Sequence, residues 1–288
     1  MKFAKIKLIV SWFGMACLFY SCDLINPAEP IPSYLNISSV QFNSSIGSSS
    51  HKITDFYVNI DTRYQGAYPI PTNFPLLETG VHEMIFFPGV ILNGTSNTRG
   101  VYPLYKPYTQ TVTLVAGVPV EITPVIAYYD SVVCTWCEDF EDDAGHDFIE
   151  SANSDTGMVH LKNSEPDIFE GTGSGAVYLN ETRIHFKVET SNGYDLPIFG
   201  QSVYLEVNYK CNQQFIIGII SKEFNTTYDV PVIVINAKET WNKLYIELAS
   251  VIQAYPNAID YKIYIEGTKD TEVGAPAFYF DNFKLLHN

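Results

Sequence analysis

The chain has 288 residues, with 32 acidic against 17 basic side chains, and its formal net charge at pH 7 is −15. A surface this negative repels phosphate backbones, which argues against nucleic acid as a partner. The length suits two domains of ordinary size. No run of eighteen apolar residues follows the N-terminal segment, so no transmembrane helix is expected there.

Residues 1–21 predict an export signal peptide. Three lysines among the first seven residues precede an uncharged apolar segment, 8–20, that is too short to span a bilayer comfortably. The segment LFYSC resembles a bacterial lipobox, which implies that Cys22 is lipid-modified and becomes the first mature residue. Cys17 is a second possible lipid site, and plain secretion is the alternative. Removal of the signal peptide moves the net charge to −18.

The next twelve residues, 22–33, predict a lipidated tether. Three prolines in DLINPAEPIPS favour a stiff, extended chain. The protein is therefore expected in the cell envelope, anchored to the outer membrane by lipid alone, with its periplasmic or surface orientation open. Beyond the tether we expect two domains, at 34–133 and 134–288.

The first domain is predicted to be a small β-sandwich. A strand at 53–61 leads into a turn-rich crossing at 62–75, a second strand follows at 80–90, and 108–129 closes the domain. The stretch VNIDTRYQGAYPIPTNFPLLETGVHEMIFFPG resembles the PEGA and related transthyretin-like modules of bacterial surface proteins. NGTSNTRGVYPLYKPYTQTVTLVAGVPVEITP is similar to two-domain lipoproteins of the Bacteroidetes type. These resemblances imply a spacer or binding platform without catalytic residues.

The second domain is also predicted to be all β. Alternating or continuous apolar runs indicate strands at 203–210, 214–221, 231–237 and 260–267. Short helices are expected near 238–241 and 248–254. Since antiparallel sheets with one wet face produce this alternation, the chain as a whole is interpreted as an all-β protein of two sandwiches.

Three short motifs carry a family resemblance in this half. EDFED at 138–142, GTGSGAVYL at 171–179 and AFYFDNFKLL at 277–286 resemble a carbohydrate-binding-module jelly roll of the galactose-binding-like kind. The resemblance implies that the first and last strands meet at one side of the second sandwich. It also implies a non-catalytic module that binds carbohydrate.

The same resemblance implies a structural calcium site. Glu141 and Asp281 would converge as oxygen ligands, with Asp139, Asp142 or Asp143 as a further ligand and backbone carbonyls completing the shell. The alternative is that the acidic run is a solvated loop and that Asp281 caps a turn through its side chain.

The Cys134–Cys137 pair has the spacing of a redox motif, but its flanks are β-like and acidic rather than a helix N-terminus. Export permits a disulfide, so we predict a local 134–137 bridge with Cys211 buried in a strand. Zinc requires four ligands, and His146 alone lies near the pair.

No catalytic motif is found in the sequence. Asp139 and Glu141 would share a strand face, yet the third carboxylate of a jelly-roll glycanase is missing, and no serine-hydrolase elbow, zinc-protease motif or phosphate loop occurs. The protein is therefore predicted not to be an enzyme.

Carbohydrate binding is the leading functional prediction. Sugar recognition uses aromatic rings at loop edges together with nearby amides and carboxylates. Trp241 and Tyr194 are the candidate rings, and the candidate polar partners are Asn192, Asp195 and Gln201. The alternative is a structural lipoprotein that binds another envelope protein and no glycan; a concave aromatic platform would favour the first and a flat apolar patch the second.

Overall fold

The computed structural model describes residues 29–95, 97–143, 145–163 and 167–288. The predicted signal peptide, Cys17, Cys22 and most of the predicted tether lie outside these residues. The described chain is nearly all β, as predicted, and it forms two β-sandwiches. No helix in the described ranges is long and apolar enough to cross a membrane.

The first eleven strands form the N-terminal sandwich. Its strands are β1 (Ser33–Ile37), β2 (Gln41–Phe42), β3 (Asp55–Ile60), β4 (Arg63–Pro69), β5 (Thr72–Leu76), β6 (Gly80–Ile91), β7 (Arg99–Val101), β8 (Tyr105–Lys106), β9 (Tyr108–Leu114), β10 (Pro119–Glu121) and β11 (Val125–Tyr128).

One sheet of the N-terminal sandwich is built on β6, which pairs with β3, β7 and β9, while β3 also pairs with β4. Two three-stranded sheets, β10-β1-β5 and β2-β11-β8, complete the sandwich. The segment 62–75, predicted as a turn-rich crossing, instead supplies β4 and most of β5. Its prolines misled the prediction: Pro69 and Pro71 flank the short turn between these two edge strands, where a missing N–H is tolerated.

The last eleven strands and the single described helix form the C-terminal sandwich. Its elements are β12 (Val133–Glu138), β13 (Phe148–Glu150), β14 (Val159–Lys162), β15 (Gly173–Tyr178), β16 (His185–Thr190), β17 (Val203–Cys211), β18 (Phe215–Lys222), β19 (Thr227–Ile235), β20 (Lys238–Glu247), α1 (Ala249–Ala254), β21 (Asp260–Thr268) and β22 (Ala277–His287).

Two sheets face each other in the C-terminal sandwich. One has the order β14-β15-β22-β17-β20, with β12 also paired to β22, and the other has the order β13-β16-β21-β18-β19. Alternate side chains of the central strands point inward, so Val203, Leu205 and Val207 of β17 pack on Ile263 and Ile265 of β21 in one core. The first and last strands, β12 and β22, are neighbours, in line with the jelly-roll resemblance.

The four strands predicted in this half are present as β17, β18, β19 and β21. The helix predicted near 248–254 is α1. The helix predicted near 238–241 is wrong, because these residues begin β20, where Lys238 pairs with Cys211. Pairing along β17 overrides the weak helical preference of Lys238 and Glu239.

The N-terminal sandwich packs against the outer face of the β14-β15-β22-β17-β20 sheet. Tyr204, Tyr245 and Leu286 point out of that sheet and are buried in the hydrophobic core of the N-terminal sandwich. We call the part of the sheet under the N-terminal sandwich the covered face; it is made by Tyr204, Glu206, Asn208, Lys243, Tyr245, Lys284 and Leu286. The two sandwiches therefore share one continuous buried interface.

Candidate binding site at the junction of the two sandwiches

The loop between β6 and β7 attaches the N-terminal sandwich to the edge of the other. Leu92 forms an isolated bridge to Tyr245 on the edge strand β20, and the Asn93 N–H donates to the Tyr245 carbonyl at 2.8 Å. The Asn93 side chain accepts a hydrogen bond from the Glu247 N–H at 3.0 Å. This loop thus continues the sheet by one short strand-like segment.

Gly94 permits the close approach of this loop. Its φ of +61° lies in the left-handed region, and a Cβ built on it would lie 3.1 Å from Leu244 Cδ2. Any other residue would meet both the backbone strain and this contact.

A cavity of about 320 Å³ lies beside the loop, where β19 and β20 leave the edge of the C-terminal sandwich open. Its floor is made by Leu244 and by residues of β19. Its polar wall combines residues of both sandwiches: Lys52, Asn93, Thr95, Tyr209, Asn236, Lys238 and Asn242. The volume falls at the lower end of the range of about 300–1,000 Å³ typical of small-molecule sites, which often form between domains.

Hydrogen bonds hold the polar groups of the cavity in place. The Lys52 ammonium donates to Asn242 Oδ1, and Asn242 Nδ2 donates to the Tyr209 hydroxyl at 3.2 Å. The Lys52 N–H donates to the Tyr245 hydroxyl at 2.7 Å. These bonds link a loop of the N-terminal sandwich to β17 and β20, so the wall of the cavity is fixed by the same contacts that join the sandwiches.

A charged group lies buried in the interface next to the cavity. Glu206 and Lys243, with side chains 0% and 1% exposed, form an ion pair at 3.0 Å. The other Glu206 oxygen accepts hydrogen bonds from the Tyr102 and Tyr128 hydroxyls at 2.9 and 3.0 Å. Burial, together with the Glu206 charge, raises the pKa of both tyrosines well above the usual value, so they remain neutral donors.

The carboxylates of the predicted calcium site are engaged by one segment, 172–174. Glu141 accepts hydrogen bonds from the Thr172 N–H at 2.8 Å and the Gly173 N–H at 3.1 Å. Asp281 is fully buried and accepts the Ser174 hydroxyl at 2.7 Å, and burial raises its pKa to about 7.

The third predicted ligand, Asp139, accepts a hydrogen bond from the Glu141 N–H at 3.2 Å. Within the described ranges, no group of three or more histidine, cysteine, aspartate or glutamate side chains is arranged to hold a metal ion. Calcium at Glu141, Asp281 and Asp139 stays a prediction.

Cys134 and Cys137 lie in β12 and are joined by a disulfide. Cys211 is a free thiol in β17, and burial raises its pKa. A thiol with a raised pKa is a poor nucleophile, which suits a packing role.

The two predicted sugar-stacking rings lie at opposite ends of the C-terminal sandwich. Tyr194 pairs with Tyr261 near the start of β21. Trp241 lies six residues before the end of β20, which puts it roughly 20 Å along the strand from the end that leads through α1 to β21. The two rings therefore do not form one platform.

The surroundings of the two rings also differ. Tyr194 stacks on Trp136, with 6.0 Å between ring centroids, and burial raises the pKa of its hydroxyl to about 12. Asn192 and Asp195 are exposed on the same loop. The half-buried Trp241 ring contacts Phe169 at 5.2 Å and directly precedes Asn242, a residue of the cavity wall.

Comparisons with known proteins find no family for the chain, but they find solved structures with a limited likeness to it. No family model matches it, and no curated protein does. One similar solved structure is the CBM22-1–GH10 region of xylanase 10B from Clostridium thermocellum in complex with xylohexaose. Its TM-score is 0.39 at 15% identity, over 53% of this chain and 28% of that chain.

Two further structures are carbohydrate-binding modules. The family 11 module from Clostridium thermocellum, in complex with a β-1,3-1,4-mixed-linked tetrasaccharide, has a TM-score of 0.34 at 12% identity, over 52% of this chain and 94% of that chain. A CBM29-2 variant in complex with mannohexaose has a TM-score of 0.34 at 9% identity, over 54% and 92%. At such identities and scores the likeness says nothing about the ligand of this chain.

Proposed function

We propose that this protein binds a carbohydrate in the cavity between its two sandwiches and performs no chemistry on it. The observation that carries the proposal is the cavity wall. Amide, hydroxyl and ammonium groups from Asn93, Thr95, Asn242, Tyr209 and Lys52 converge on a space of sugar-like size. Such groups donate to and accept from the many hydroxyls of a saccharide, and their mutual hydrogen bonds pre-organise them.

The same wall argues for binding without hydrolysis. Most glycosidases require a pair of aspartate or glutamate side chains on either side of the scissile bond. Among the described residues that line the cavity there is no aspartate, glutamate or histidine. A saccharide held here would meet neither a general acid nor a nucleophile of the usual kind.

A glycan array with the folded full chain tests the proposal, and Thr95→Trp is the informative variant. Thr95 is exposed at the rim, so an indole placed there fills the cavity without opening the core. We expect the variant to lose at least about tenfold in affinity. Thr226→Trp, at an exposed turn at the other end of the sandwich, should bind like the wild type. No binding by a protein that unfolds cooperatively would contradict the proposal.

The glycan array also tests whether the glycan binds in this cavity or at the platform predicted around Tyr194. Asn192→Ala and Asp195→Ala change exposed side chains at the far end of the sandwich, so we expect unchanged affinity. Asn242→Ala, which removes an amide that lines the cavity, should weaken binding. The opposite pattern would move the site to the Tyr194 loop.

A second candidate function is the binding of a protein partner. It is supported by exposed apolar side chains at the end of the C-terminal sandwich that carries the Tyr194 loop. Phe199, Phe224 and Ile259 are 75%, 87% and 56% exposed, in loops that all connect strands at the same end of the sandwich. Exposed apolar side chains in proximity favour a protein contact. If the array is silent, cross-linking from a probe at position 199 to an envelope protein, lost when Phe224→Ser is added, would support this function.

We further propose that the protein is an envelope lipoprotein anchored through Cys22 to the outer membrane. The basic, apolar and LFYSC segments support this location. Labelling of cells with a fatty-acid analogue should mark the wild type and Cys17→Ser but not Cys22→Ser. A label on the Cys22→Ser protein would contradict the anchor position.

A further inference from the structure

Two lysines give the cavity a charge opposite to that of the whole protein. The chain carries a net charge of −15, yet the charged side chains that line the cavity are Lys52 and Lys238. Neither forms an ion pair with a described residue. In contrast, Lys243 in the neighbouring interface is paired with the Glu206 carboxylate at 3.0 Å.

The position of Lys52 is held by neutral groups. Its ammonium donates to Asn242 Oδ1, and its backbone N–H is held by the Tyr245 hydroxyl. Burial, and secondarily the charge of Lys238, lowers the pKa of Lys52. The Lys52 ammonium is therefore partly desolvated and is repelled by the exposed Lys238 ammonium, and an anion between the two would offset that repulsion.

We propose that the cavity recognises an acidic saccharide, with a uronic acid carboxylate bound between Lys52 and Lys238. This inference rests on the proposed function and gives it a substrate class. The carboxylate would take charge-assisted hydrogen bonds from the two ammonium groups. Ring hydroxyls would bond to the groups that the internal hydrogen bonds leave over: Asn93 Nδ2, the Thr95 hydroxyl as an acceptor and the Tyr209 O–H as a donor. The net charge of the protein is negative, so the protein as a whole does not attract an anionic ligand from a distance. The two lysines therefore act at short range, where they determine which saccharide is bound.

A matched pair of ligands isolates the carboxylate. Oligogalacturonate and its fully methyl-esterified form share a backbone and differ in charge, so calorimetric titration of the folded full chain with each measures the preference directly. We expect the acid to bind at least about tenfold more tightly than the ester in low salt, and the ratio to shrink in 0.5 M NaCl as screening increases.

Variants of the two lysines complete the experiment. Lys52→Met and Lys238→Met should each reduce the acid-to-ester ratio to near one while the ester still binds, whereas Lys222→Met, exposed at the far end of the sandwich, should keep the full ratio. Lys238 is exposed, so its variant should fold even if Lys52→Met does not.

The outcomes separate this inference from the proposed function. Equal binding of acid and ester, blocked by Thr95→Trp, would overturn the acidic-saccharide inference and leave carbohydrate binding intact. A neutral glycan preferred on the array over every acidic one would do the same. No binding of any glycan by the folded protein would overturn both.

Discussion

The two outer faces of the C-terminal sandwich differ in how they use charge. The covered face buries the Glu206–Lys243 pair completely beneath the N-terminal sandwich. The opposite sheet carries the Lys262–Glu189 pair at 2.9 Å, and Lys187 between Asp229 and Glu266. We call this second set the open face; its side chains are 12–53% exposed.

The difference lies in solvent rather than in the pairing itself. On the open face, water reaches the charged groups and screens the attraction between them. When one partner of a pair is removed, the remaining charge is still solvated by water. On the covered face, loss of one partner strands a charge in an apolar environment. The packing of the two sandwiches against each other therefore depends on this one set of buried polar contacts.

Glu206→Gln is the most direct test of the difference between the covered face and the open face. It leaves the Lys243 ammonium buried without its carboxylate, and we expect the free energy of unfolding to fall by about 3–5 kcal/mol. Glu266→Gln on the open face should cost less than about 1 kcal/mol. Urea denaturation followed by intrinsic fluorescence measures both, and similar losses for the two variants would show that burial does not distinguish the faces.

The buried carboxyl of Asp281 should make the stability of the protein depend on pH. Its folded pKa of about 7 lies above the unfolded value of about 3.9, so the native state binds the extra proton between these values and stability falls as pH rises from about 4 to 7. In chelator at pH 8, Asp281→Asn should be more stable than the wild type by about 2–4 kcal/mol. Parallel stability curves from pH 4 to 8 would refute this.

The same variant tests the proposed calcium site. A ligand that binds only the folded state raises its stability by mass action. If Asp281 and Glu141 coordinate calcium, adding the ion at pH 8 should raise the Tm of the wild type and leave that of Asp281→Asn unchanged. An equal shift, or none in the wild type, would remove Asp281 as a ligand.

Gly94→Ala should have a smaller effect than Glu206→Gln or Asp281→Asn. The left-handed φ alone costs about 1–2 kcal/mol for a residue with a Cβ, and the 3.1 Å approach to Leu244 adds to it. Gly200→Ala is the matched control, because its φ is +72° and nothing lies within 4 Å of the added carbon. The difference between the two variants in urea measures the contact between the sandwiches, and a difference of zero would mean that the loop moves freely.

The sequence predicted the strands better than the site because strands have local signals. The alternation in 203–210 and the apolar run at 214–221 correspond closely to β17 and β18. Prolines and a helix-favouring Lys-Glu pair misled the predictions at 62–75 and 238–241, where pairing with neighbouring strands decides the structure.

The cavity had no comparable signal. Lys52, Asn93 and Asn242 come together only because the β6–β7 loop pairs with β20, a contact between residues some 150 positions apart. Asn93-Gly94 does predict a turn, but the partner of a turn is not encoded nearby. Tyr194 and Trp241 could be recognised as aromatic residues near loops, whereas their placement at opposite ends follows from the order of strands.

The bridge from Leu92 to Tyr245 has a consequence for how such a protein can be rearranged by evolution. Edge strands with free N–H and C=O groups recruit other chains, and here the first sandwich occupies part of the edge of the second. A gene fragment encoding 133–288 alone would expose that edge together with the tyrosines of the covered face. We therefore expect recombination that separates the two halves to yield a C-terminal fragment that associates with other chains rather than an independent module.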